Sequence, residues 1–93
     1  MSSLCLYLPN VEKNYKYNSI EKIFTPYNFG RIGYIRIIKT DYGYNRVFIN
    51  YKVWFDNARN NILKKNLNEG KSFKLFYNKY DFWNCYMSVS NKS

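Results

Sequence analysis

An α+β fold, with four antiparallel strands in one sheet and two helices on one of its faces, is what three features of this sequence predict. Several segments alternate apolar and polar side chains with a period of two, as half-buried strands do. Two others carry an apolar stripe at helical spacing. Their order is strand, helix, strand, strand, helix, strand. The 93 residues suffice for one small domain and are too few for two, so one domain is placed at 1–90, with 91–93 as a frayed end. An apolar fraction of 46% is enough for a core and argues against disorder.

Leu4 to Leu8 reads as the first strand, closed by Pro9-Asn10, with Leu6 and Leu8 inward and Tyr7 outward. A polar connection with Lys13 and Lys16 leads to a helix starting near Asn18. Asn18 is suited to cap it, and Glu21 three residues on completes a capping-box pattern. Ile20, Ile23, Phe24 and Tyr27 form its apolar stripe, and Pro26 with Asn28-Phe29-Gly30 ends the region. Ile32 to Lys39 is rich in β-branched residues and reads as the second strand, Ile35 and Ile37 inward, Tyr34, Arg36 and Ile38 outward. Thr40 to Asn45 is turn-rich. Arg46 to Tyr51 is the third strand, running on toward Val53, with Val47, Ile49 and Tyr51 inward and Arg46, Phe48 and Asn50 outward.

Asp56 is read as the cap of a second helix over Asn57 to Leu67, with Ala58, Ile62, Leu63 and Leu67 inward and Asn60, Lys64 and Lys65 toward water. Phe73 to Tyr77 is a short strand outside the four-strand count, and Asn78 to Asp81 a turn. Trp83 to Val89 is the last strand, with Trp83, Cys85, Met87 and Val89 on one face and Asn84, Tyr86 and Ser88 on the other. Core positions are expected for Trp54 and Trp83, since a buried Trp contributes a large apolar area.

The net charge is +9 and the pI near 9.6, a surface that attracts polyanions. Outward-facing aromatics at Tyr7, Tyr34, Phe48 and Tyr86 would form a patch on the sheet face that no helix covers, and such patches mark binding surfaces. Bases stack on exposed rings, and surrounding cations hold phosphates. The candidate binding residues are therefore Tyr7, Phe48, Arg46, Asn50, Tyr34, Arg36 and Tyr86, with Lys13, Lys16, Lys39 and Lys79 in loops around them. The chain has no His, its six acidic residues are scattered, and it has no Gly-rich phosphate loop; enzyme activity and cofactors are not expected. Two Cys without ligand spacing argue against zinc. With Cys5 toward the open face and Cys85 toward the core, no disulfide between them is expected. No apolar run near 18 residues and no signal peptide are present, so a soluble intracellular protein without membrane contact is expected.

In this order and at these distances the segments resemble the RNA recognition motif family over almost the whole chain. Leu6-Tyr7-Leu8-Pro9-Asn10-Val11 is similar to the family's six-residue motif on the first strand, and Phe48-Ile49-Asn50-Tyr51 to the second half of its eight-residue motif on the third. Phe29-Gly30-Arg31-Ile32 with Ile35-Arg36-Ile37 is similar to the start of the family's second strand, and Ala58, Ile62 and Gly70 fit its second helix. The resemblance implies a ferredoxin-like βαββαβ sandwich and single-stranded RNA as partner, with Tyr7 and Phe48 stacking on successive bases. It departs from the family where Tyr44 and Asn45 replace a basic residue and a glycine, and where Arg46 replaces the other stacking ring. A guanidinium there can stack on a base or bind phosphate. The Asn-, Lys- and Tyr-rich composition also resembles stand-alone members of this class from large nucleocytoplasmic DNA viruses, which adds a virion as a location. Two alternatives stay open: a protein-interaction or homodimerisation module on the same face, and a non-specific nucleic-acid packaging protein.

Overall fold

A computed structural model describes residues 3–88 of the chain. The elements are β1 (Leu4–Glu12), α1 (Tyr17–Phe24) followed by a 3₁₀ turn (Thr25–Tyr27), β2 (Gly30–Ile38), β3 (Tyr44–Trp54), α2 (Ala58–Asn68), β4 (Phe73–Phe76) and β5 (Phe82–Met87). The fold is α+β, and the sheet has five strands in the order β2-β3-β1-β5-β4, every neighbouring pair antiparallel.

The fifth strand corrects the expectation of four. Phe73 to Phe76 is not an isolated segment: the turn after it folds it back on β5, with Phe73 opposite Cys85 and Leu75 opposite Trp83. That pairing brings Leu75, fully buried, and Phe73 into the core, which repays the ordering of a short edge strand. Val89, expected in the last strand, and the frayed end at 91–93 lie outside the described residues.

One apolar cluster holds the molecule together. Leu4, Leu6 and Leu8 of β1, Val47, Ile49 and Tyr51 of β3, and Trp83 and Cys85 of β5 supply the sheet side. Ile20 and Phe24 of α1 and Leu67 of α2 supply the helical side. Trp54 and Trp83 are both buried, as large apolar side chains beside strand ends should be.

Three local expectations are corrected. α1 begins at Tyr17, with Lys16 in the extended cap position (φ −110°, ψ 176°) and no side-chain cap bond; Asn18 lies inside the first turn and forms no capping box with Glu21. A capping side chain needs non-helical backbone at its own residue, which Asn18 lacks. At α2 the cap is Asn57 rather than Asp56: its side chain accepts from the Asn60 N–H at 2.9 Å, while Asp56 accepts from the Asn61 amide. β1 does not stop at Pro9-Asn10 but continues to Glu12 across a bulge between Leu8 and Val11. Pro9 has no N–H to donate to a ladder, and a bulge is where a strand tolerates that.

The buried face of α2 is also rotated from the expected one. Asn60 is fully buried, whereas Ala58 is exposed and Ile62 is 61% exposed. Asn60 Nδ2 donates to the carbonyls of Phe29 (2.8 Å) and Phe55 (3.0 Å), and its own carbonyl accepts from Trp54 Nε1 at 3.1 Å. Arg59 Nε donates to Asn60 Oδ1 at 3.0 Å, so the amide is satisfied at both ends. A buried polar group with every partner in place can outcompete an apolar stripe. Gly30 packs against the backbone of β3: a Cβ there would meet the Val53 carbonyl oxygen at 2.0 Å, so no larger residue fits.

Candidate functional site

The seven candidate residues fall on one face of the sheet. In an antiparallel ladder, directly opposed residues share a face. Arg36 on β2 is opposite Phe48 on β3, Phe48 is opposite Tyr7 on β1, and Tyr7 is opposite Tyr86 on β5. These four form one row across four strands, normal to the chain direction. Tyr7 and Phe48 stack on each other with centroids 4.9 Å apart and planes at 29°. The Arg36 guanidinium carbon lies 6.0 Å from the Phe48 centroid. Each ring thus has one face engaged by the other; Tyr7's remaining neighbour in the row is Tyr86, and that of Phe48 is Arg36.

A second row lies beside the first. Tyr34 is opposite Asn50, Asn50 is opposite Cys5, and the Cys5 carbonyl accepts from the Ser88 N–H at 2.8 Å. Between the rows is a shallow polar recess bordered by Cys5, Tyr34, Arg36, Phe48, Asn50 and Ser88. Arg46 stands on the far side of the first row, opposite Ile38, and is exposed. It has no carboxylate partner: among the described residues the one ion pair is Lys71 with Glu69, at 3.4 Å.

Strands β2 and β3 carry no carboxylate. The six carboxylates are Glu12, Glu21, Asp41, Asp56, Glu69 and Asp81. Glu21 is on α1, Asp56 and Glu69 flank α2, and Asp41 and Asp81 are in turns. Glu12, at the end of β1, is engaged by Tyr77 Oη (2.7 Å) and Trp83 Nε1 (3.0 Å). Arg36, Arg46 and Lys52 remain on the open face at alternating strand positions, with no carboxylate among them. Two other basic residues hydrogen-bond to backbone and side chains elsewhere. Lys13, exposed, donates to the Thr40 carbonyl and the Asn45 side chain, which ties it to the loop before β3. Arg59 donates to the Tyr27 carbonyl at 2.7 Å and lies 5.0 Å from the Phe29 centroid, closing the 3₁₀ turn on the helical side.

Burial works to raise the Glu12 pKa, but the hydrogen bonds from Tyr77, Trp83 and its own backbone outweigh it and hold the carboxyl below its ordinary value. A depressed carboxylate adds stability above its unfolded pKa, and that stability disappears as pH falls through the folded value. Glu12→Gln is therefore expected to lower Tm at neutral pH, with a deficit that shrinks at acid pH as the carboxylate is protonated. Thermal unfolding at neutral and acid pH checks this; an equal deficit at each would refute it.

Both cysteines are free thiols on opposite sides of the sheet, Cys5 on the open face and Cys85 in the core, where burial pushes its thiol up strongly. Burial likewise raises Tyr51, with the Cys85 charge adding to it, and the Tyr51 hydroxyl is buried without a hydrogen-bond partner. Removing such a hydroxyl relieves a desolvation penalty of about 1–3 kcal/mol. Tyr51→Phe is expected to raise the urea midpoint; a lower midpoint would show that the hydroxyl has a partner in solution.

Three further residues belong to this face, Lys74, Phe76 and Phe82: β4 pairs into the sheet, and β5 begins one residue before Trp83. The signal was present: Lys74 and Phe76 alternate with Phe73 and Leu75. Among the described residues no group of three or more His, Cys, Asp or Glu could hold a metal ion, and no helix is long and apolar enough to cross a membrane. The chain matches no protein-family model, no curated protein and no solved structure.

Proposed function

We propose that the open sheet face binds single-stranded RNA, within a ferredoxin-like frame of the RNA recognition motif type to which β4 adds an edge strand. The observation that carries this is the row Arg36–Phe48–Tyr7–Tyr86, rings and a guanidinium in register on a face where β2 and β3 carry no carboxylate and Glu12 stands only at the end of β1. Rings provide stacking without sequence choice, and Arg36, Arg46 and Lys52 provide phosphate contacts. Asn50 in the adjoining recess offers a donor and an acceptor to a base edge.

Three phosphate contacts on a single strand give a log–log salt slope of about −2, so affinity should fall roughly tenfold to thirtyfold between ~50 and ~200 mM salt. Titration of a fluorescent single-stranded RNA at the two salt concentrations tests this, with single-stranded and duplex DNA beside it. Lys64→Ala, on α2, should bind like the wild type. No binding at low salt ends the proposal. Equal affinity for duplex DNA favours non-specific packaging.

The mutual stacking of Tyr7 and Phe48, with Ile38 on the same face, favours a second reading, a homodimer or protein contact. Light scattering separates it: a stable dimer disrupted by Phe48→Asp and indifferent to RNA would replace the first reading.

A further inference from the structure

Phe82 lies on β5 four residues from Tyr86, about 13 Å along the strand, and on the same face. The register puts Phe76 opposite Phe82 and Lys74 opposite Asn84, so β4 presents Lys74 and Phe76 to that face too. Phe76 is 46% and Phe82 38% exposed, their centroids 5.3 Å apart, and Lys74 Nζ lies 4.7 Å from the Phe82 centroid. The hairpin is already anchored from its other face by Leu75 and Trp83, both buried. Its outward rings are additional to that anchoring. Asp81, the carboxylate of this hairpin, is in the turn and accepts from the Asn78 amide at 2.9 Å. Two rings half in water and a lysine over one of them have the chemistry of a stacking step beside a phosphate contact, and the carboxylate nearest in the recess beside Phe82, Glu12, is already held by Tyr77 and Trp83.

We infer that the β4–β5 hairpin lengthens the RNA track: a single strand crossing the Tyr7–Phe48 row continues past Tyr86 onto Phe82 and Phe76, with Lys74 at its phosphate. This rests on the RNA-binding reading proposed above and adds to it a direction and a length.

The test compares wild type, Phe82→Ala and Lys74→Gln with uridine oligonucleotides of about four and about ten nucleotides, by fluorescence anisotropy. The wild type should bind the longer one more tightly. Phe82→Ala should weaken the longer one about fivefold or more and leave the shorter unchanged. Lys74→Gln, a surface change that leaves the core intact, should reduce the salt slope for the longer one by about 0.7, and it decides the matter if Phe82→Ala fails to fold. Variants equal to wild type at both lengths overturn the hairpin's role and leave the central face standing. A wild type that binds neither length overturns both.

Discussion

Phe48→Ala is expected to weaken single-stranded RNA binding by about tenfold, and Tyr7→Ala by a similar factor, since a base–aromatic stack contributes about 1–3 kcal/mol. The geometry makes the two losses interdependent. The rings stack on each other at 4.9 Å, so removing either one also frees the other to reorient. The double variant should therefore lose less than the product of the single losses, a non-additivity that a double-mutant cycle measures directly. Phe48→Tyr keeps the stack and should bind as the wild type does. Independent, fully multiplicative losses would mean that the rings act as two separate platforms. Wild-type affinity in both single variants would remove the row from the binding site altogether.

Asn60→Ala is expected to destabilise the fold by about 2–4 kcal/mol. It deletes the bonds to the Phe29 and Phe55 carbonyls and leaves the Phe55 oxygen and Arg59 without this partner, all at a fully buried position. For a domain whose total stability is of order 5–15 kcal/mol, that is a large fraction. Asn60→Asp should be worse at neutral pH, because it sets a carboxylate against two carbonyl oxygens and supplies no donor. Urea unfolding with an unchanged m-value measures both. An Asn60→Ala midpoint equal to that of the wild type would mean that water replaces the amide.

The inward and outward assignments along β1, β2, β3 and β5 were readable in advance. Leu6, Leu8, Val47, Ile49 and Cys85 are buried, while Tyr34, Arg36, Arg46 and Tyr86 are exposed. Apolar alternation is a local property, and the pleat translates it directly into two faces. The stripe of α1 was readable for the same reason. The face of α2 was not, because Ile62 looks like a core residue and Asn60 a solvent one until the Phe29 carbonyl, 31 residues away, is brought beside it. β4 was recognisable as a strand but not as part of the sheet, because four residues carry too little pattern to declare a partner.

Composition and alternation by themselves determined an α+β chain with a basic, ring-bearing sheet face. Only the tertiary structure decided which of those side chains meet. Whether Tyr7 lies beside Phe48 or one pair further on depends on register, and a shift by two residues would keep every side chain on its face and still separate the rings. The β1–β3 ladder with its bulge at Pro9-Asn10 fixes that register, and the pairings of β5 with β1 and of β4 with β5 place the remaining rings. They are contacts between distant segments, whose free energy appears only once the core closes, and no short window of the chain contains them.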